Sequence, residues 1–357
     1  MNKRKRIRDY NINVGDLETG AKNSITDVEG VKVGHFTLDS GEIKTGVTAI
    51  LPHSSNLFKE KLIAASHVIN GFGKSTGLIQ INELGTIETP ILLTNTLNVG
   101  IAHQALVKKM LEQNEDIGEK TGTVNPVICE CNDQYLNDIR GLHIKENHVF
   151  KALENAGDNF LEGAVGAGTG MSCYGLKGGI GSSSRIIKIL NQNFHLGILV
   201  LSNFGKKEDF RLNGIKAGKI IKNAEDNEGK KSDEPEQKGS IIVILGTDIP
   251  LSSRLLKRII KRTGVGINRT GSFIENGSGE IAIGFSTANK INHDDNNEVL
   301  DMKIINENKI NKLFKATAEA TEEAIYNSMI TAETTEGKKG RVRYSLKDYI
   351  DMINLDN

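Results

Sequence analysis

Gly239-Ser240 is the junction in this sequence best equipped for covalent chemistry of its own. Glycine lets the backbone reach strained φ/ψ values, and a serine hydroxyl just after it can attack the preceding carbonyl in an N-to-O shift that ends as a cut. Cleavage leaves Ser240 as a new N-terminus, carrying a nucleophilic Oγ and an α-amine on one residue. Such an amine has an ordinary pKa of about 7.7–8.0, near enough to neutrality to act as general base without a histidine. Taken alone, the same two residues also suit a plain loop-to-strand boundary. Other chemical signals are weaker. There is no G-x-x-x-x-G-K-[ST], and Gly166, Gly168 and Gly170 do not match the dinucleotide fingerprint. The eight histidines include no H-E-x-x-H. Cys129-Glu130-Cys131 sets two thiols on one face of a strand, but no second pair lies at zinc-binding spacing, so they read as small core residues.

The elements around the junction change abruptly in character. Asn223–Gly239 holds six acids, three lysines, a proline and one alanine, too little apolar surface to offset its ordering entropy, and reads as an exposed, mobile loop. Ser240–Leu245 is so apolar that it must be a central strand covered on both faces. Upstream, Val31–Phe36, Gly46–Leu51, Thr89–Leu93, Val127–Cys131 and Phe194–Asn203 read as strands, and Gly100–Gln113 has helical spacing. Residues 163–184 are Gly-rich yet too apolar for a flexible linker. Downstream, Ser252–Thr263 is a basic amphipathic helix, Glu280–Phe285 a strand and Glu307–Met329 a long helix. The charges on both helices read as solvated faces.

Composition sets the outer limits. The 357 residues carry 45 Lys+Arg against 45 Asp+Glu, a balance that argues against coating nucleic acid or an anionic membrane. With 38% hydrophobic and 25% charged residues the chain is globular, and 38 glycines against 5 prolines call for tight turns and close backbone approaches inside packed structure. Three cysteines, an odd number, fit a reducing compartment, and no apolar run approaches the roughly 18–20 residues of a membrane span. The expectation is a cytoplasmic protein. Five basic residues among the first eight are followed by Asp9, Asn11, Asn13 and Asp16 instead of an apolar stretch, and read as a solvated arm.

Several long blocks together resemble one family. NSITDVEGVKVGHFTL (Asn23–Leu38), GFGKSTGLIQINELGTIETPILLTNTLNVG (Gly71–Gly100), PVICECNDQYLNDIRG (Pro126–Gly141), GAVGAGTGMSCYGLKGGIGSSSR (Gly163–Arg185), LVLSNFG (Leu199–Gly205), GSIIVILGTDIPL (Gly239–Leu251) and TGSFIENGSGEIAIGFSTAN (Thr270–Asn289) look, in this order, like the DmpA/BapA family of β-peptidyl aminopeptidases. The resemblance implies one α+β domain over residues 1–357, a four-layer αββα sandwich similar in layering to Ntn hydrolases. It also implies an inactive precursor that cuts itself at 239/240 into chains 1–239 and 240–357.

Carried over by position, Ser240 stands at the family's nucleophile and new N-terminus, and Gly239 at the residue cut away. Ser278 and Glu280 stand at the serine and glutamate completing the catalytic group; residues i and i+2 on a strand share a face, so Ser278 is expected to hydrogen-bond Ser240 or its amine while Glu280 orients the set. Without the resemblance, Ser278 is a turn serine and Glu280 a strand-start acid. Asn203 matches the oxyanion-hole asparagine, and is otherwise a strand-end turn residue. Glu130 matches the carboxylate that receives the substrate's free amine, and is otherwise a partner for a Lys or Arg. Tyr135 corresponds to a tyrosine near the site in some members, with Asn132 close by as the alternative register.

The implied function is an N-terminal serine aminopeptidase acting through an acyl-enzyme on short peptides, amides or esters with a free N-terminus, β- or D-residues included. Neither metal nor organic cofactor is needed, and the expected assembly is a homotetramer of processed pairs, with no nucleic-acid or membrane partner. Two alternatives stay open: acyl transfer of the ornithine acetyltransferase type, and an unprocessed ligand-binding relative in which Glu130 captures cations.

Overall fold

The structure, a computed structural model, describes residues 4–229 and 239–353. Along the chain run β1 (Lys32–Ser40), β2 (Ile43–Leu51), β3 (Glu60–Gly71), α1 (Leu78–Leu84), β4 (Thr86–Ile87), β5 (Ile91–Asn95), α2 (Val99–Gln113), β6 (Val127–Cys131), α3 (Glu146–Glu154), the short pair β7 (Ser172–Cys173) and β8 (Leu176–Lys177), β9 (Gly179–Ile189), β10 (Gln192–Asn203), α4 (Ala217–Asn227), β11 (Ser240–Thr247), α5 (Ser253–Ile260), α6 (Thr263–Arg269), β12 (Gly279–Asn292) and α7 (Asn311–Ile330).

Two sheets stack face to face. One has the order β1-β2-β5-β6, the other β4-β3-β12-β11-β10-β9. Between them lies a core of Ile91, Leu93, Cys129 and Cys131 against Leu199, Leu201, Ile242, Ile244, Ile281 and Ile283. Outside the smaller sheet, α2 and α3 pack on Val47, Ala49, Leu92 and Ile128. Outside the larger, α5, α6 and α7 cover Ile198, Val200, Ile241, Val243 and Ala282. The layering is therefore α, β, β, α. Every residue of β11 is buried, and its side chains alternate between helices and opposite sheet, which explains its unbroken apolar run.

Three expectations need correction. The N-terminal segment is docked, not solvated: Ile7 is buried, Arg6 pairs with Glu162 at 2.7 Å and Arg8 with Glu323 at 2.7 Å. The acids of α7 are not a solvated face either. Glu319 and Glu323 are fully buried, because Arg185 of β9, itself without exposure, reaches them at 3.2 and 2.8 Å. Finally, α4 runs on to Asn227, so residues 223–227 of the supposed loop are helical; residues 230–238 of it lie outside the described residues. The Gly-rich 163–184 stretch is packed as expected. In β9, a Cβ on Gly181 would lie 2.0 Å from the Ala324 carbonyl of α7, so only glycine lets strand and helix approach this closely.

Removing one partner from a buried ion network leaves the others charged and desolvated, at a cost of about 3–5 kcal/mol. Arg185→Met should lower unfolding stability by that amount in a urea titration, and a loss below about 1 kcal/mol would show that the network is energetically idle.

Candidate active site

Three strand ends of the larger sheet meet at Ser240. The antiparallel β10–β11 register sets Asn203 opposite Ser240, and the parallel β11–β12 register sets Ser240 opposite Gly279. In that parallel pair the Gly279 N–H donates to the Gly239 carbonyl at 3.0 Å. That carbonyl belongs to the peptide bond whose nitrogen is Ser240's. Both glycines are sterically required. A Cβ on Gly239 would lie 2.8 Å from the Phe204 Cα, and one on Gly279 would lie 2.5 Å from the Phe72 carbonyl oxygen.

The Ser240 side chain is buried, yet its Oγ makes no hydrogen bond of good geometry with any described residue. It is near enough to the Cys131 thiol to lower that group's pKa against the burial that dominates and raises it. Burial holds Cys131 well above the ordinary thiol range and pushes Cys129 and Cys173 up to about 12. None of these thiols is a nucleophile near neutral pH, so the serine hydroxyl has no thiolate competitor.

Ser278 and Glu280 do share a face, and the Ser278 hydroxyl donates to Glu280 Oε1. It does not reach the Ser240 hydroxyl. Because Ser240 is in register with Gly279, alternation sends the Ser240 side chain to the inter-sheet side with Ile242 and Ile281, and the Ser278–Glu280 pair to the helix side with Ile241 and Ala282. What both sides share is the backbone of the junction between them. Glu280 has no exposure, its Oε2 meets no partner among the described residues, and burial raises its carboxyl to about 7, with the Ser278 hydroxyl opposing.

Asn203 is fixed at both ends of its amide. Its Oδ1 accepts from the Ser172 N–H at 2.8 Å, and its Nδ2 donates one hydrogen to the Asn132 carbonyl at 3.0 Å. Glu130 is buried at the end of β6. Its Oε1 accepts from the Lys74 N–H at 2.9 Å and its Oε2 from the Thr96 hydroxyl, so among the described residues its partners are uncharged donors and not a Lys or Arg side chain. Gly73 borders it, where a Cβ would come within 3.3 Å of Oε1 and 3.7 Å of Ile281 Cδ1. Tyr135 stands one step back: its ring lies under the Arg343 guanidinium at 3.6 Å, and Arg343 Nε donates to the Ser172 hydroxyl at 3.3 Å.

Sequence reasoning missed the Gly279, Lys74 and Ser172 N–H donors and the Thr96 hydroxyl. Backbone donors leave no side-chain signature, though the glycine between Ser278 and Glu280 is one visible trace of Gly279. Among the described residues no group of three His, Cys, Asp or Glu side chains is placed to hold a metal ion, and no helix is long and apolar enough to cross a membrane.

Residues 23–343 match peptidase family S58. The β-peptidyl aminopeptidase BapA of Sphingosinicella microcystinivorans is 35% identical over 339 residues, 90% of this chain and 84% of that protein. A solved structure from Pyrococcus horikoshii OT3, the PH0078 protein, superposes with a TM-score of 0.91 at 49% identity, over 97% of this chain and 98% of that one. The L-aminopeptidase D-Ala-esterase/amidase of Ochrobactrum anthropi, described as a prototype of the serine aminopeptidases and a new variant among the Ntn hydrolase fold, superposes with a TM-score of 0.87 at 34% identity, over 96% and 95% of the two chains. The sandwich is thus an Ntn-hydrolase-like α+β fold. The chain belongs to peptidase family S58, and is a serine-type aminopeptidase.

The Glu280 carboxyl gives a testable pH effect. Its ordinary value is 4.5 and its folded value about 7, so the folded chain holds the proton more tightly than the unfolded chain does. The stability from this group is present in full below the ordinary value and is lost as pH rises through about 7. In a Ser240→Ala background, Glu280→Gln should therefore raise the thermal midpoint by an increment that grows from pH 5 to pH 8. An increment that is the same at both pH values would contradict the raised carboxyl.

Proposed function

We propose that the chain cuts itself between Gly239 and Ser240, and that Ser240 then serves as the N-terminal nucleophile that removes the first residue from short peptides, amides or esters. The observation that carries this reading is the Gly279 N–H on the Gly239 carbonyl. It polarises the carbonyl that the adjacent Ser240 hydroxyl must attack, and would stabilise the oxyanion as the acyl group moves from nitrogen to oxygen. Hydrolysis of the resulting ester frees the Ser240 amine and lets Gly239 leave.

Departure of Gly239 vacates the Gly279 N–H. A substrate carbonyl can then take the place of the Gly239 carbonyl, with the second N–H of Asn203 as the other oxyanion donor. The freed α-amine takes the proton from Ser240 Oγ and passes it to the leaving amine or alcohol, and water attacks the acyl-enzyme in the second half of the reaction. The Ser278–Glu280 pair, beside the same junction, sets the charge and orientation of that amine. Glu130 receives the substrate's ammonium, and its uncharged partners keep its charge available for that contact. The name of the Sphingosinicella relative supports including β-residues among the substrates. The working assembly in this reading is a homotetramer of processed pairs.

Losing a hydrogen bond between charged groups weakens binding by about 10- to 100-fold. Glu130→Gln should raise KM for free-amine substrates by that factor with a smaller change in kcat, and should erase the preference for free over N-acetylated substrates. Steady-state kinetics with matched free and acetylated anilides measure both; an unchanged preference would contradict the amine-binding role.

A further inference from the structure

Asn70 lies at the end of β3, opposite Glu280. Along the β3–β12 pair the register passes from Asn70↔Glu280 to Val68↔Ile281, so Ile69 is one residue too many on β3. A bulge of this kind leaves one residue unpaired, bends the strand and re-aims the side chains beside it. Here the Asn70 amide points along the sheet onto the turn that leads into β12. Its Nδ2 donates to the Ser278 carbonyl, to the Glu275 carbonyl at 3.0 Å and, at a longer 3.4 Å, to that of Asn276. The turn itself is closed by the Ser278 N–H on the Glu275 carbonyl at 3.0 Å.

The Ser278 carbonyl and the Gly279 N–H belong to one peptide unit. That unit is planar and trans, so its carbonyl and N–H point in opposite directions and cannot be aimed separately. Holding the carbonyl from the β3 side therefore aims the N–H at the Gly239 carbonyl on the β11 side, 3.0 Å away. Hydrogen bonds to both ends of one peptide also polarise each other, which makes the N–H a stronger donor.

We propose that Asn70 is a positioning residue: through the Ser278–Gly279 peptide it aims the donor that serves first the scissile carbonyl and then the substrate carbonyl. Its catalytic part rests on the self-processing reading above, and its structural part does not. Asn70 makes no hydrogen bond to Ser240; without it the turn keeps its own Glu275–Ser278 bond and the Lys206–Glu275 ion pair at 2.8 Å, neither of which holds the Ser278 carbonyl. A donor displaced by as little as 1 Å can cost about 100-fold in rate.

Two readouts separate the parts. In a Ser240→Ala chain, which stays whole either way, Asn70→Asp puts a carboxylate against three carbonyls and should speed hydrogen exchange of the Gly279 amide by at least about tenfold, read in the peptide spanning residues 275–281. Unchanged exchange overturns the proposal whatever the enzyme does. In the chain with Ser240 intact, Asn70→Asp should slow processing and lower kcat roughly 10- to 100-fold, with KM for a free-amine anilide moved less than about threefold. Asn70→Ala should do the same more weakly, and Asn70→Gln, which keeps the donor, should recover most of the rate. A loss confined to KM, or one that follows the thermal midpoint and is not recovered by Gln, overturns it. A parent chain that never cuts, yet shows the exchange effect, refutes the self-processing reading and leaves the aiming of the Gly279 amide by Asn70 standing.

Discussion

The proposed chemistry depends on the hydrogen bond from the Gly279 N–H to the Gly239 carbonyl. That bond exists because β11 and β12 run parallel with Ser240 opposite Gly279, and parallel pairing directs the N–H of alternate residues to the carbonyl one residue before the partner. A shift of one residue in that register would offer the N–H to a different carbonyl and turn every side chain of β11 to the other face. The buried surroundings resist such a shift: Ile242 and Ile244 pack against the opposite sheet, and Ile241 and Val243 against the helices. Core packing on both faces thus holds a single peptide bond at a donor, with a hydroxyl beside it that makes no hydrogen bond of good geometry among the described residues.

The rest of the architecture serves that alignment at a distance. α7 carries Glu319 and Glu323 into the interior, where Arg185 meets both and Arg8 of the N-terminal segment meets the second. One helix, one edge strand and the start of the chain are tied together by charges that none of them could bury alone. Close to the site, backbone N–H groups and neutral hydroxyls do the positioning. Among the described residues, Glu130, Asn203 and Glu280 take their hydrogen bonds from such donors and not from cationic side chains.

Much of this was legible in the sequence wherever the signal is local. β6 and β11 are short apolar runs bounded by polar or turn residues, and their limits fall close to where periodicity sets them. The Ser278–Glu280 spacing gives a same-face pair, which the strand delivers. What could not be read depends on partners far along the chain. The basic N-terminal segment looks solvated until Glu162 and Glu323 are brought to it, and the acids of α7 look solvated until β9 supplies Arg185. β3 escapes notice because its buried stretch, Leu62–Ser66, is short and partly built from Ala and Ser, with His67 following. Which part of Ser240 the Ser278 side chain can face was not legible for the same reason: spacing within one strand says nothing about register between two, and here the register turns the two hydroxyls to opposite faces.

The claim at the centre of this account is that the Gly239–Ser240 bond breaks itself. Intact mass spectrometry with N-terminal sequencing of the purified protein tests it directly. The 38.9 kDa chain divides in proportion to length, 239 residues against 118, into species of about 26 and about 13 kDa. The account predicts both, the smaller beginning Ser-Ile-Ile-Val, and a Ser240→Ala chain that stays whole under the same conditions. A wild-type chain that stays whole after prolonged incubation, or a Ser240→Ala chain cut at the same bond, would contradict it.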